Sequence, residues 1–492
     1  MKYLFDLVND DKNKGSLNIP IYSLCYNSRR VGENSIFFAI KGYNNDGNNY
    51  VDEAIKKGAV AVFSERRIPE RITNIYWKQV ADIRESMALI SSKFYKEILE
   101  KLYLVGITGT NGKTTTSYII EHILGMDGKR CGIVGTLGMK GVSIGSVSNL
   151  TTPESIDLHQ YFSELVDNGF NYAVMEVSSH SIALKRIYYL PFKLGIFTNL
   201  TRDHLDFHKT IEEYFQVKRK LFLNEIGTEL EYALINADDE YGRRILKERK
   251  ELGLVSYSYG FNETSDYRIL DYELSGKGVN VIVDFEGKEY QLRSSLIGFP
   301  NLYNLVSASA AAVLMGVNTE TIQEAVANFK GVKGRYERVD YGQKFLVLID
   351  YAHTEDAIEN LLRAVRRSVA GKVIIVFGCG GDRDQGKRRL MGRAAAENAD
   401  YLIITSDNPR SEDPLFIIEM IVEGVKEGRC SSYEVIVNRE AAIYRAIEIA
   451  EDNDVIVLAG KGHEDYQIIG KEKLYFDERE IVKVAIKKFR KN

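Results

Sequence analysis

The stretch Leu102-Tyr-Leu-Val-Gly-Ile-Thr-Gly-Thr-Asn-Gly-Lys-Thr-Thr-Thr116 constrains this chain more than any other. It runs from an apolar β-type segment through a glycine-rich turn into a helical pattern carried by Tyr118, Ile119, Ile120, Ile123 and Leu124. A strand, a glycine turn and a helix start bring backbone N–H groups and the positive end of a helix dipole to one place, where a polyphosphate can sit. Gly109, Thr110, Asn111, Gly112, Lys113, Thr114 and Thr115 are therefore the candidate ATP-binding residues. Lys113 would offset β/γ-phosphate charge, and the Thr114 hydroxyl is placed to ligate Mg2+. Ile107 stands where the literal P-loop spelling has its first glycine, so an ordinary β–α turn is the bland alternative.

A chain of 492 residues has room for about three domains. With 45% hydrophobic and 27% charged residues it has the composition of a globular protein, and a formal charge of −4 gives no basic footprint for nucleic acid. The first residues lack the long apolar run of a secretory signal and no stretch reaches the length of a membrane span, so a cytoplasmic protein is expected. Cys25, Cys131, Cys379 and Cys430 lie far apart without CxxC spacing, which suggests neither a zinc site nor a disulfide framework.

Residues 1–81 read as a small α/β domain, with a strand over Ser35–Ile40, a polar loop from Gly42 to Asn49, a helix over Val51–Lys57 and a strand over Ala59–Phe63. Its Asn27-Ser28-Arg29-Arg30 is, on composition alone, a solvated turn. Helical periodicity then begins at Asp82, with Met87, Ile90, Phe94 and Ile98 on one side, and the first boundary is placed near Ala81.

The central domain, 82–332, holds the glycine loop and a mostly parallel sheet. Tyr172-Ala-Val-Met-Glu-Val177 is a buried-strand pattern interrupted by one carboxylate, and Glu176 is the best metal candidate because a hard cation wants oxygen ligands on a rigid element. A merely paired buried Glu is the alternative. Asp203, His204, Asp206 and His208 crowd six positions after another strand, more polar function than a solvated loop needs. Lys218 sits among Tyr214, Val217, Leu221 and Phe222 at helical spacing, and spacing alone favours a snorkelling surface lysine. Residues from Glu231 to Ser294 read as short β runs with turns. Asn301 and Asn304, at i and i+3, could hold an adenine edge or simply cap a helix.

From 333 to 492 strands alternate with helices: Val347–His353, Val373–Gly378, Tyr401–Thr405 and Val455–Gly460. Several end in polar or glycine loops, as in a parallel sheet that binds ligands at its carboxyl ends. This third domain is Rossmann-like but lacks a GxGxxG fingerprint, so NAD is not indicated. The fold class is α/β in three domains.

Thr108-Gly-Thr-Asn-Gly-Lys-Thr114, Asn199-Leu-Thr-Arg-Asp-His-Leu-Asp-Phe-His208, Asp350-Tyr-Ala-His353, Gly378-Cys-Gly-Gly-Asp-Arg-Asp384, Asp407-Asn-Pro-Arg410 and Gly460-Lys-Gly-His-Glu-Asp465 together resemble the motifs of the Mur ligases, in the expected order. The resemblance implies an ATP-dependent amide ligase that phosphorylates the D-glutamyl carboxylate of UDP-N-acetylmuramoyl-L-alanyl-D-glutamate and passes the acyl group to an amino-acid amine. It gives Lys113, Glu176, His204 and Lys218 catalytic roles. Thr114 and Glu176 would bind one Mg2+ and His204 a second, with Lys218 as a CO2-derived carbamate. Asn301, Asn304, Arg335 and Asp350 would hold adenosine and phosphates. Ser28 would contact the uridine part, and Thr151, Thr152, Ser178 and Arg186 the muramoyl-dipeptide part.

For the incoming amino acid the resemblance points to Arg383, Asp407, Asn408, Arg410, Gly460 and Glu464. The spelling Asp-Asn-Pro-Arg resembles the version that accepts meso-diaminopimelate, whose distal carboxylate an arginine fork can clamp. L-Lysine or another diamino acid such as meso-lanthionine is the alternative acceptor, and a nucleotide-binding regulator without turnover is the alternative class. Asn27, Pro300, Lys333 and Arg389 depart from the usual family spelling, where Asp, Phe, Pro and Pro stand. Small-molecule substrates, no nucleic acid, no membrane and a monomeric state are expected.

Overall fold

In the computed structural model, residues 2–8, 17–42, 45–72, 75–142, 150–367, 369–430 and 432–489 are described. By its own contacts the chain divides into two compact units, Met1–Lys113 with Leu124–Ser258, and Thr114–Ile123 with Tyr259–Asn492.

After a short antiparallel pair, Lys2–Tyr3 with Pro20–Ile21, and a helix over Leu4–Val8, the first unit has four parallel strands, β1 (Ser23–Cys25), β2 (Ser35–Phe38), β3 (Ala59–Ser64) and β4 (Tyr76–Gln79), in that spatial order, with α1 (Val51–Lys56) between β2 and β3. Ile36, Phe38, Ala61 and Phe63 pack with Ile83, Met87 and Ile90 of α2 (Ile83–Leu99), which the Asp82 carboxylate caps by accepting Glu85 N–H. The strands expected over Ser35–Ile40 and Ala59–Phe63 are present as β2 and β3, and Met87 and Ile90 face the core as expected, while β1 falls outside the two expected strands. Strand β4 likewise falls outside them.

Helix α2 leads to β5 (Tyr103–Thr108), the glycine loop, and α3 (Lys113–Met126). These are followed by β6 (Cys131–Gly135), β7 (Gly138–Lys140), α4 (Ser155–Asp167), β8 (Tyr172–Glu176), α5 (Ser179–Ala183), β9 (Phe192–Phe197), α6 (Leu205–His208), α7 (Ile211–Arg219), β10 (Tyr232–Asn236) and α8 (Glu240–Glu251), and then by a short strand over Ser256–Gly260. Strands β5 to β10 lie in the order β10-β9-β5-β8-β6-β7, all parallel except the β7 edge. Strand β5 is thus flanked on both sides, and its loop emerges at the carboxyl end of the sheet, where α/β folds bind ligands. Helix α8 corrects the expectation of short β runs with turns from Glu231 onward. Asp239 caps it, and it buries little besides Gly242, Ile245 and Arg249, so its apolar stripe is too narrow to betray a helix in sequence.

The second unit carries an antiparallel ladder of β11 (Tyr267–Ser275), β12 (Gly278–Phe285) and β13 (Lys288–Ser294), followed by α9 (Phe299–Leu314) and α10 (Thr319–Asn328). Its larger sheet uses β14 (Glu337–Arg338), β15 (Leu346–Asp350), β16 (Val373–Phe377), β17 (Tyr401–Ile404), β18 (Tyr433–Val435) and β19 (Val455–Ala459), in the order β14-β15-β19-β16-β17-β18. All neighbours are parallel except β14 and β15. Apolar side chains of β16 and β19 pack on both faces, against α11 (Glu355–Arg366), α12 (Gly386–Asn398) and α13 (Pro414–Val425) on one and against α14 (Arg439–Ile449) on the other. A hairpin of β20 (Tyr466–Ile469) and β21 (Glu472–Tyr475) follows. Among the described residues no helix is long and apolar enough to cross a membrane.

Candidate functional site

The glycine loop is held by close contacts with Thr198 and Asn199 that leave no room for a side chain at Gly109. Gly109 has φ +148°, and a Cβ there would lie 1.9 Å from Thr198 Oγ1. Thr110 N–H donates to Asn199 O at 2.8 Å, Asn111 N–H to Asn199 Oδ1 at 3.0 Å, and Thr198 Oγ1 to Asn111 O at 2.7 Å. Asn199, to which the sequence pattern assigns no role, is therefore the buttress of the loop. Lys113 folds back over it and donates to Gly109 O at 2.9 Å and Thr110 O at 2.8 Å. Thr114 and Thr115, in the first turn of α3, are buried.

Lys218 is not a snorkelling lysine. It is 1% exposed, and its Nζ donates to Gly109 O at 2.9 Å and Thr108 Oγ1 at 3.2 Å. Burial first, then the Lys113 charge, holds its ammonium well below the usual lysine range. Surface snorkelling requires a head group in water, and the Lys218 head group is instead packed against Thr108 and Gly109.

Glu176 ends β8 and is 1% exposed. Oε1 accepts Thr136 N–H at 2.9 Å and Oε2 accepts Thr136 Oγ1 at 3.0 Å. A carboxylate offers about four acceptor positions, so each oxygen retains capacity for a cation. A Cβ on Gly135 would lie 2.2 Å from Oε1, which explains glycine there. The Thr152 hydroxyl donates to Glu176 O at 2.9 Å and meets Ser178 Oγ at 3.2 Å, while Thr151 Oγ1 is 3.4 Å from Thr136 Oγ1. Arg186 donates to Thr152 O at 3.2 Å and to Glu154 Oε1 at 3.1 Å, and Glu154 also accepts from Arg84 at 2.6 Å. Thr151, Thr152, Ser178, Arg186 and Glu176 are thus one bonded group.

His204 has a left-handed backbone, φ 53°, with its ring 5.1 Å from that of His180 and its Nε2 3.6 Å from Asp203 Oδ2. His208 differs: it is buried and meets Ser179 Oγ at 2.8 Å. Among the described residues no three His, Cys, Asp or Glu side chains form a metal cluster. Asn149 lies outside the described residues, as does the side chain of Asp206.

Ser28 is buried and donates to Glu53 Oε2 at 3.0 Å, in a 3-10 turn capped by Asn27, whose Oδ1 accepts Arg29 N–H at 3.0 Å. Asn27 therefore performs the capping an Asp would.

In the second unit Asn301 and Asn304 are buried, and neither is the cap of α9, which is Gly298. Asn304 Nδ2 donates to Asn301 Oδ1 at 2.9 Å, Asn301 Nδ2 donates to Ile297 O at 2.8 Å, and Thr116 Oγ1 lies 3.4 Å from Asn304 Oδ1. Pro300 sits in the first turn, where a missing N–H costs nothing. Arg335 lies over the Tyr351 ring at 5.0 Å. Both Asp350 oxygens accept backbone N–H groups, from Tyr336 and Ala352, each at 2.8 Å, and burial raises its carboxyl against the Arg335 charge. The Lys333–Arg335 turn presses on the Gly462–His463 backbone, since a Cβ on Gly334 would lie 2.1 Å from His463 N.

Asp407 and Asn408 are buried at the end of β17. Asn408 Nδ2 donates to Glu464 Oε2 at 2.9 Å, and Lys461, fully buried, reaches Asn408 Oδ1 at 3.2 Å and Glu464 Oε2 at 3.3 Å. Lys461 lies inside the Gly460–Asp465 motif, where sequence alone gives no sign of its burial. Gly460 has φ +108°, and a Cβ there would lie 2.8 Å from Asp407 Oδ2. Arg410, φ 53°, donates to Gly381 O at 2.6 Å, and Arg383 is exposed on the neighbouring loop. Arg389 forms a surface ion pair with Glu427.

Three family models match in chain order: "Mur ligase family, catalytic domain" over residues 20–95, "Mur ligase middle domain" over 107–312 and "Mur ligase, glutamate ligase domain" over 334–462. The chain is 44% identical over 483 residues to the UDP-N-acetylmuramoyl-L-alanyl-D-glutamate--2,6-diaminopimelate ligase of Caldanaerobacter subterraneus subsp. tengcongensis, covering 98% of each. The chain belongs to the Mur ligase family. Another Mur ligase relative, from Clostridium tetani and of the same name, is 42% identical over 476 residues, 96% of each chain. A solved structure of a ligase of that name matches with a TM-score of 0.74 and 30% identity, covering 99% of both chains. MurF from Thermotoga maritima in complex with ADP shares the Mur ligase fold, with a TM-score of 0.63 and 17% identity over 95% of this chain and 98% of that one.

Proposed function

We propose that the chain is an ATP-dependent amide ligase that joins meso-diaminopimelate to UDP-N-acetylmuramoyl-L-alanyl-D-glutamate in peptidoglycan precursor synthesis. The near full-length identity to diaminopimelate ligases supports the activity. The observation that carries the choice of acceptor is Arg410, held in the left-handed region on a loop braced by Gly381.

A carboxylate resists an amine because it has no good leaving group. The D-glutamyl carboxylate oxygen attacks the γ-phosphorus, ADP departs, and an acyl phosphate forms. The amine nitrogen then attacks the acyl carbon, the C–O bond to phosphate breaks, and the amine loses a proton. Such transfers are mainly positioning and charge neutralisation. Lys113 and the N–H groups of Gly109–Thr115 would hold the phosphates. Asn301, Asn304, Arg335 and Asp350 would hold adenosine, Ser28 the uridine part, and Thr151, Thr152, Ser178 and Arg186 the muramoyl-dipeptide. Arg383, Asp407, Asn408, Arg410, Gly460 and Glu464 would receive the diamino acid.

Mg2+ is bound in proteins through one or two carboxylates and substrate phosphates, and the spare acceptor capacity of Glu176 fits it. Thr114 and Glu176 would hold one ion, and His204 with carbamylated Lys218 a second; the ions would neutralise charge on the transferring phosphoryl group. CO2 reacts with a neutral amine, and the burial that lowers the Lys218 ammonium favours that form. We place the domain boundaries near residues 81 and 332, the enzyme in the cytoplasm, and its working state as a monomer. Phosphate release tests the proposal: it should require both the UDP-muramoyl-dipeptide and a diamino acid.

A further inference from the structure

Arg410 and Arg383 sit on different loops, one after β17 and one after β16, and a clamp for one carboxylate needs both loops in fixed register. Strands β16 and β17 are parallel neighbours, so their loops leave the same end of the sheet. The loops touch through backbone: Gly381 N–H donates to Asn408 O at 2.9 Å, and a Cβ on Gly381 would lie 1.9 Å from Pro409 O. Arg388, on α12 and fully buried, lays its two terminal nitrogens on Glu412, Nη1 to Oε2 and Nη2 to Oε1, both at 2.8 Å. Glu412 Oε1 also accepts the N–H of Asp382, the residue before Arg383, whose backbone is left-handed at φ 53°. Asp382 in turn accepts Ser411 Oγ at 2.6 Å and Ser411 N–H at 3.3 Å. A two-bond guanidinium–carboxylate fork fixes orientation as well as distance, and here it ties one loop to the helix that follows the other.

We propose that Arg388 and Glu412, with the Ser411–Asp382 clip, are positioning residues for the incoming amino acid. They lock the Arg383 and Arg410 loops in the register that grips a distal carboxylate. This rests on the diaminopimelate-ligase reading above. Neither residue touches the substrate. Their loss loosens the grip on an acceptor with a second carboxylate and leaves ATP and the muramoyl-dipeptide unaffected.

The test is steady-state kinetics of the full chain with ATP, Mg2+ and UDP-muramoyl-dipeptide, with meso-diaminopimelate and L-lysine compared as acceptors. Glu412→Gln should raise KM for meso-diaminopimelate roughly tenfold, as expected for a sub-ångström misplacement of a binding group, with KM for ATP unchanged. Preference for meso-diaminopimelate over L-lysine should fall by about the same factor, and Glu412→Asp should recover part of it. Ser411→Ala, at an exposed position whose loss leaves no buried charge, should move the same constant in the same direction and covers the case in which Glu412→Gln fails to fold. A Ser411→Ala enzyme with unchanged acceptor KM, or variants in which the KM values for ATP and acceptor rise together, would overturn the proposal while leaving the ligase reading standing. A wild-type protein that makes no product with meso-diaminopimelate would overturn both.

Discussion

Lys218 Nζ and the carbonyl oxygen of Gly109 are 2.9 Å apart, so a lysine from α7 reaches the first residue of the phosphate-binding turn. On the proposed function, this contact would put a desolvated amine beside the transferring phosphoryl group. Replacing Lys218 by Ala should lower kcat by at least about a hundredfold, the usual cost of removing one preorganised charge-stabilising group. Partial recovery on adding a small carboxylate such as acetate identifies the carbamate role. A structural lysine would give loss without recovery, and a lowered thermal midpoint instead.

Gly135 and Glu176 make a second test. A Cβ at position 135 collides with Oε1, so Gly135→Ala must displace the carboxylate while leaving the backbone of β6 free to pair. Activity should fall about tenfold or more, with a raised Mg2+ requirement, and the thermal midpoint should change little. Unchanged Mg2+ dependence would remove Glu176 from the metal assignment.

Arg410 is tested by truncation. Arg410→Ala should raise KM for meso-diaminopimelate roughly tenfold to a hundredfold, the worth of a charge-assisted contact, with little effect on KM for ATP. Equal effects on both constants would take the acceptor role away from this loop.

His159 offers a pH test independent of catalysis. It is fully buried on α4, its Nδ1–H donates to Ser155 O at 2.7 Å, and burial pushes its pKa down to about 4. A lowered folded value means that the unfolded chain takes up a proton that the folded chain refuses. Its contribution is therefore intact above about pH 6.5 and lost as pH falls towards 4. Comparing His159→Phe with the wild type by urea unfolding, the wild type should lose about 2 kcal/mol relative to the variant between pH 7 and pH 5. A difference constant with pH would contradict the assignment.

The nucleotide loop was legible because strand, glycines and helix are contiguous in the chain, and the β15, β16, β17 and β19 runs were legible because buried parallel strands are uninterrupted apolar text. Lys218 was not, since its helical spacing reveals a face but cannot say that Thr108 and Gly109 lie against it. Asn199, Thr136 and Lys461 were missed for the same reason: each acts on a partner brought near by the sheet. Helix α8 was missed because few of its residues are buried, and the Arg388–Glu412 fork because a buried arginine reads as a surface one in sequence.

The most direct test of the central claim is the product mass from purified protein given ATP, Mg2+, UDP-N-acetylmuramoyl-L-alanyl-D-glutamate and a panel of meso-diaminopimelate, L-lysine and meso-lanthionine. The account predicts an amide product whose mass increases by one diaminopimelate residue, formed in step with phosphate release. ATP hydrolysis that proceeds without either co-substrate, or a product carrying lysine in preference, would contradict it.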